Sequence, residues 1–410
     1  MKTPLQSFAA LLVTGSLLGC SQSELHTVEV SGHGLDFYPD STRMVVFPYG
    51  ADFRFDPPVA SALLADGAFE LSFRDSTTCL YELVVEEELH KGSFQTFGFF
   101  SDDNPLRFAF RRKFGTTRAE VSGSSDNEEL FLYRNRRATL CEPTDSMLYE
   151  LDQWRISNYG PNGYPETGSA EAERLRARYE EISDRQKSII EASGYERWLE
   201  ARIRHHKTLA GLLKVTQALD SELRKVERDA GHTIDTMWLN LYRDYRSLYP
   251  GNRLVQRTDE RLATIERLAP GAPFPDFTAP ALDDGTRRRF GELIEGRIAV
   301  LDCWASWCGP CRRHSIELIP IYEKYRDRGF TVVGVAREYG SLDDMRLAVK
   351  RDNYPWVQLY DLDGAEGIWK LYGLSSAGGG IFLIDLKGRI VERVADVASI
   401  RKYLEQHLGR

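Results

Sequence analysis

The sequence predicts a multidomain protein in three parts: an N-terminal all-β domain, an α-helical connector and a C-terminal α/β domain. Three changes of residue pattern carry that reading. Short runs that alternate apolar and polar residues with period two, broken by Gly, Asp, Pro and Ser, fill residues 27–121. A stretch rich in Glu, Arg, Leu and Ala follows, with apolar residues at helical spacing. Beyond Ala269-Pro270-Gly271-Ala272-Pro273, strand-like and helix-like segments alternate. At 410 residues, 42% apolar and 28% charged, the chain is long enough for two or three packed cores. Its formal charge of -8 comes from interspersed acids and bases with no basic face, which argues against nucleic acid as a partner.

The first element is Lys2 followed by an apolar stretch at residues 8–18, too short to cross a hydrocarbon core of roughly 30 Å. It reads as a signal peptide over residues 1–19. The stretch ends in Leu17-Leu18-Gly19-Cys20, which resembles the bacterial lipobox. That resemblance implies a mature chain beginning at Cys20, with diacylglycerol on its thiol and residues 21–24 as a short polar tether. The lipid would be the membrane anchor, since no later apolar segment is long enough to span.

The β-domain occupies residues 24–125, with strands expected at 27–30, 43–47, 69–73, 79–85, 106–110 and 118–121, arranged as a small antiparallel sandwich or barrel. The helical region runs over residues 126–268. Leu175, Tyr179, Ile182 and Ile189 share one helical face, and Leu212, Val215, Leu219, Leu223 and Val226 another. Residues 158–168, rich in Gly, Pro and Asn, form a loop. Gly231 is placed to end one helix, and Pro250-Gly251 to end an aromatic-rich one at 238–249.

The C-terminal domain spans residues 269–410. Strands are expected at 298–304 and 331–336, helices at 310–326 and 342–350, a hairpin at 381–385 and 389–394 turning at Lys387-Gly388, and a last helix at 399–408. This order predicts a central sheet covered by helices.

One constellation carries chemistry. In Val300-Leu301-Asp302-Cys303-Trp304-Ala305-Ser306-Trp307-Cys308-Gly309-Pro310-Cys311-Arg312 a strand runs into a helix, placing Cys308 at the helix N-terminus. Unpaired backbone N–H groups and the helix dipole there stabilise a thiolate, so Cys308 is the expected nucleophile. Cys311 lies on the same helical face, positioned to attack a mixed disulfide formed by Cys308. Pro310 suits the first helical turn. The segment closely resembles the active site of the thioredoxin superfamily. Pro275-Asp276-Phe277-Thr278, Tyr322-Glu323-Lys324-Tyr325, Gly329-Phe330 and Phe382-Leu383-Ile384-Asp385 narrow the match to its TlpA-like envelope branch. The preceding β-domain resembles the one found before such modules in envelope lipoproteins.

The resemblance implies a thiol–disulfide oxidoreductase in the bacterial cell envelope, lipid-anchored and facing the periplasm, that reduces disulfides of exported proteins. It implies a membrane thiol reductase as electron donor, and no cofactor beyond the Cys308–Cys311 redox disulfide. Asp302 falls where thioredoxins hold a buried carboxylate, and would accept the proton of Cys311. Trp307, Gly309, Pro310 and Gly379 are expected to support the active site. Gly379 stands where relatives have a cis-proline, so its preceding peptide is expected to be trans. Ile316 replaces a helix proline of the family. Cys303 reads as buried filler, and His314 as solvent-facing. Zinc would need further Cys or His ligands near the CxxC pair, and peroxidase chemistry would need Pro and Thr or Ser at fixed distances before the cysteine; neither is present. Cys79 and Cys141, both in the exported half, are candidates for a structural disulfide. The competing reading is a non-enzymatic envelope binding or scaffold lipoprotein built on a thioredoxin fold.

Overall fold

The structure is a computed structural model that describes residues 25–53, 56–91, 94–161, 163–228, 232–374 and 378–409. The signal peptide, Cys20 and Gly231 lie outside the described residues. Among the described residues, 25–217 and 240–254 form one compact unit, and 218–239 and 255–409 the other.

In the first unit the alternating runs become strands β1 (His26–His33), β2 (Arg43–Pro48), β3 (Ala60–Leu63), β4 (Phe69–Asp75) and β5 (Leu80–Val85). A short helix α1 (Glu86–His90) precedes β6 (Phe97–Phe100), β7 (Leu106–Lys113) and β8 (Thr116–Ser122). They build two four-stranded sheets, ordered β4-β1-β7-β8 and β3-β2-β5-β6. Period two is plain in β4, where Phe69, Leu71 and Phe73 are buried and the intervening Glu70, Ser72 and Arg74 face water. One pairing departs from the expected antiparallel pattern. β1 and β7 run parallel, with Val30 opposite Leu106, which a long crossover allows and a hairpin does not. β3 and β6, four residues each, were not expected; Ala60–Leu63 has little β-branched content and Phe97–Phe100 contains a glycine.

Helices α2 (Ser125–Tyr159), α3 (Ala170–Ala192), α4 (Tyr195–His205), α5 (Leu209–Arg228), α6 (Thr236–Leu248) and α7 (Arg253–Arg267) follow. Asn127, fully buried at the start of α2, accepts from the backbone N–H of Phe100 (2.7 Å) and donates to its carbonyl (2.8 Å), satisfying the end of edge strand β6. Farther along the helical region, Arg202 makes a two-pronged ion pair with Glu129 (2.6 and 2.7 Å). Cys79 and Cys141 do not form the expected disulfide. Both are free buried thiols: Cys79 contacts Thr77 Oγ1 at the head of β5, while Cys141 packs in the middle of α2 against Ile190 and Tyr195.

The second unit carries the α/β fold. After a small hairpin, β9 (Thr278–Pro280) with β10 (Arg287–Arg289), come α8 (Phe290–Ile294), β11 (Ile298–Trp304), α9 (Gly309–Tyr325), β12 (Phe330–Glu338), α10 (Asp343–Asp352) and β13 (Val357–Leu362). Then α11 (Ile368–Leu371), β14 (Gly380–Ile384), β15 (Ile390–Val394) and α12 (Val397–Leu408) complete it. The sheet order is β13-β12-β11-β14-β15, with β11, β12 and β13 parallel and β14 and β15 antiparallel to their neighbours. β11 is central and wholly buried, which explains its nearly continuous apolar sequence. Its residues divide by parity. Ile298, Val300 and Trp304 join Leu318, Ile321, Ile400 and Leu404 of α9 and α12 in one core. Ala299, Leu301 and Cys303 join Phe290, Ile368 and Trp369 in the other. The parity of Asp302 therefore directs it toward α9.

Candidate active site

The chain leaves β11 at Trp304 and enters α9 through a four-residue connection, 305–308, closed by a Cys308 N–H to Ala305 carbonyl bond (3.1 Å). Cys308 is the N-cap of α9: its sulfur accepts the backbone N–H of Cys311 (3.3 Å), and Pro310 lies in the first turn. Cys308 and Cys311 are joined as a disulfide with Cα atoms 5.3 Å apart. Cys308 is buried, at 7% exposure, with its sulfur at the N-terminus of α9.

Asp302 is 2% exposed, and burial pushes its carboxyl up to about 7, with a hydrogen bond from Ser315 acting the other way. Ser315 Oγ lies 2.7 Å from Asp302 Oδ2 and 3.1 Å from the carbonyl oxygen of Cys311. Cys303 points to the opposite core, where burial pushes its thiol well up. His314 is exposed on α9, as is Ile316.

Several residues that hold this loop were not singled out in the sequence. Glu338, buried at the end of β12, accepts both the backbone N–H and the hydroxyl of Ser306 (2.7 Å each), and burial raises its carboxyl pKa. Arg312 forms a two-pronged ion pair with half-buried Asp352 (2.7 Å each), tying the first turn of α9 to the end of α10. The Trp304 indole donates to Gln358 Oε1 (2.9 Å), and Gly334 leaves room for that amide. Ser315, also not singled out, did carry a local signal, being four residues beyond Cys311 on one helix.

Trp307 is 39% exposed and packs against the Tyr339 ring with centroids 6.3 Å apart. It also lines a groove of about 680 Å³ with Ser306, Arg312 and Leu347. Gly379 precedes the residue paired with Cys303, and its preceding peptide is trans. A Cβ on Gly379 would stand 1.8 Å from the Cys303 carbonyl oxygen, so this loop abuts the strand that delivers the cysteines. The Trp369 indole donates to the Gly378 carbonyl (2.8 Å), fixing the neighbouring peptide. Among the described residues no group of three His, Cys, Asp or Glu is placed to hold a metal, and no helix is long and apolar enough to cross a membrane.

This arrangement is that of a thioredoxin-fold redox site, and residues 270–393 match the AhpC/TSA family. The C-terminal region is an AhpC/TSA thioredoxin-fold domain whose homologues are named thiol–disulfide oxidoreductases. The chain is 29% identical over 119 residues to thiol:disulfide interchange protein DsbE of Allochromatium vinosum, covering 29% of this chain and 62% of that one. It is 28% identical over 137 residues to thiol-disulfide oxidoreductase ResA of Bacillus cereus, covering 32% and 73%. Among solved structures, the thioredoxin domain of a thiol-disulfide oxidoreductase from Bacteroides vulgatus is similar at 25% identity and a TM-score of 0.31, covering 34% of this chain and 99% of that one.

Proposed function

We propose that the chain is a lipid-anchored thiol–disulfide oxidoreductase of the bacterial envelope that reduces disulfides in exported proteins. The observation that carries this reading is the Cys308–Cys311 disulfide at the N-terminus of α9, with Asp302 buried on the strand before it. In the reduced protein the Cys308 thiolate attacks one sulfur of a substrate disulfide; a mixed disulfide forms and one substrate thiolate leaves. Asp302 takes the proton of Cys311, and the Cys311 thiolate attacks Cys308 Sγ. The second substrate thiolate leaves and the enzyme disulfide is restored. A membrane thiol reductase supplies the two electrons for the next cycle. The groove beside Trp307 offers a place for the polypeptide flanking the substrate disulfide. Trp307, Gly309, Pro310 and Gly379 shape the surface around the pair.

Insulin reduction with a dithiol donor tests this directly. Wild type should turn over, Cys308→Ser should be inactive, and Cys311→Ser should accumulate a mixed disulfide. Equal rates for wild type and Cys308→Ser would overturn the reading.

A further inference from the structure

Within the first unit, α2 and α5 face a cavity of about 430 Å³ whose other side is formed by β5 and β6. Three cations line it. Arg134 and Arg137 are one turn apart on α2, and Lys214 stands on α5. None forms an ion pair among the described residues, though Lys214 donates to Gln217 Oε1 (3.4 Å). Arg134 is anchored by one bond to the Thr96 carbonyl (2.9 Å) and stacked over Phe97 and Phe131, at 4.6 and 5.8 Å from their centroids. Of the acids in the wall, Asp145 is already engaged by Arg118 (3.2 Å). Glu82 lines the strand side.

Arg134 and Lys214 are half-buried and Arg137 is exposed at the rim. Glu196 and Asp145 act on Lys214 and Arg137 only from beyond ion-pair distance, and burial and like charge both disfavour such an arrangement. Burial pushes Arg134 down to about 10. Burial first, then Arg134 and Arg137, hold Lys214 below the ordinary lysine range. Structural cations in cores are normally neutralised by a neighbouring acid. Here the nearby acids Glu82, Asp145 and Glu196 form no ion pair with the three cations among the described residues, and space for an anion remains between them. The remaining wall includes Leu80, Leu130 and Leu213, so the cavity combines an apolar body with converging positive groups, the usual make-up of a small-molecule site.

We propose that this cavity binds a small molecule bearing two or more carboxylate or phosphate groups, clamped by Arg134, Arg137 and Lys214. Each cation would donate charge-assisted hydrogen bonds to the ligand's oxyanions, and binding would remove the repulsion among the three. The cavity belongs to the first unit and the redox pair to the second.

The test uses the full chain in detergent, with pyrophosphate and citrate as probes and sodium chloride at matched ionic strength as control. Calorimetry and thermal unfolding should show saturable binding and a Tm increase for at least one probe, as linkage requires. A stronger response to pyrophosphate would assign a phosphorylated ligand, and to citrate a polycarboxylate. Arg137→Gln should weaken binding at least tenfold and Lys214→Gln should abolish it. Without anion, Lys214→Gln should melt above wild type, because a like charge is gone; this separates loss of the site from misfolding. No saturable response to either probe, or an unchanged response in both variants, would overturn the proposal.

Discussion

The hydroxyl of Ser315 lies 2.7 Å from Oδ2 of Asp302 and 3.1 Å from the carbonyl oxygen of Cys311, so one side chain joins the buried carboxylate to the second cysteine of the redox pair. Its position follows from two periodicities. Alternation along β11 sends Asp302 to the α9 side, and the helical repeat places Ser315 one turn beyond Cys311 on that side. The carboxyl is thus buried with the Ser315 hydroxyl as its polar contact and, among the described residues, no cation acting on it, a setting that raises its pKa.

The consequence for stability has a definite sign. Asp302 shifts from 3.8 to about 7 on folding, so between those values the folded state holds a proton that the unfolded state has lost. Stability therefore falls as pH rises through that window, by up to about 4 kcal/mol at 1.36 kcal/mol per unit. Asp302→Asn lacks this dependence. In the oxidised protein its Tm relative to wild type should climb between pH 4 and pH 8, while its insulin-reduction rate near neutrality should fall if, as proposed, Asp302 accepts the proton of Cys311. A difference in Tm that stays flat with pH would show that the carboxyl is not perturbed by burial.

Much of this site was legible in the sequence, and the pattern of what was not is physical. β11 and the CGPC turn are local: a strand buried on both faces writes itself as a nearly continuous apolar run, and a helix start needs its own cap. Asp302 stood out as a charge inside that run. Glu338, Gln358 and Asp352 did not, because they reach the site only through the pairing of β11 with β12 and β12 with β13 and the packing of α10, which no local period records. The parallel β1–β7 pair and the three-residue strands β9 and β10 escaped for the same reason. Cys79 and Cys141 show the converse error: shared compartment suggested a bond, and separate burial keeps both thiols free.

Glu338 supplies a second prediction. Its two oxygens accept from the N–H and the hydroxyl of Ser306, so Glu338→Ala leaves two donors of the active-site loop without their partner. Loss of stability of about 2 to 3 kcal/mol is expected in urea titration. Glu338→Gln should cost about 1 kcal/mol or less, since the amide oxygen keeps the N–H bond and the serine hydroxyl can turn to accept. Equal losses for the two variants would mean that packing, and not these hydrogen bonds, is what Glu338 contributes.

For the anchor, the prediction rests on Leu17-Leu18-Gly19-Cys20 at the end of a short apolar run. Wild type should sediment with membranes and leave them in detergent. Cys20→Ser should appear in the soluble envelope fraction, because a serine hydroxyl does not take the thioether-linked lipid. Retention of Cys20→Ser in the membrane pellet would show that the chain is held there by something other than that lipid.

The glycine loop gives the sharpest contrast, because two adjacent glycines should answer differently to the same substitution. A Cβ on Gly379 would sit 1.8 Å from the Cys303 carbonyl oxygen and 3.2 Å from the Trp304 Cα, both backbone atoms with no rotamer to change. A Cβ on Gly378 would meet nothing within 4 Å, and its carbonyl bond from Trp369 would be kept. Gly379→Ala should therefore cost about 2 to 3 kcal/mol or more through enforced backbone displacement. Gly378→Ala should lie within about 0.5 kcal/mol of wild type, the reduced freedom of the unfolded chain working slightly in its favour. Activity should follow the same order, because the strand displaced by Gly379→Ala leads directly into the loop that presents Cys308. Proline at 379 would also bring its ring against the Cys303 carbonyl, so restoring the residue usual in relatives should disturb this chain and not strengthen its grip on partners. Urea midpoints and insulin-reduction rates for the two alanine variants settle the matter: if they are indistinguishable, the close approach of Gly379 to Cys303 does not shape the active site.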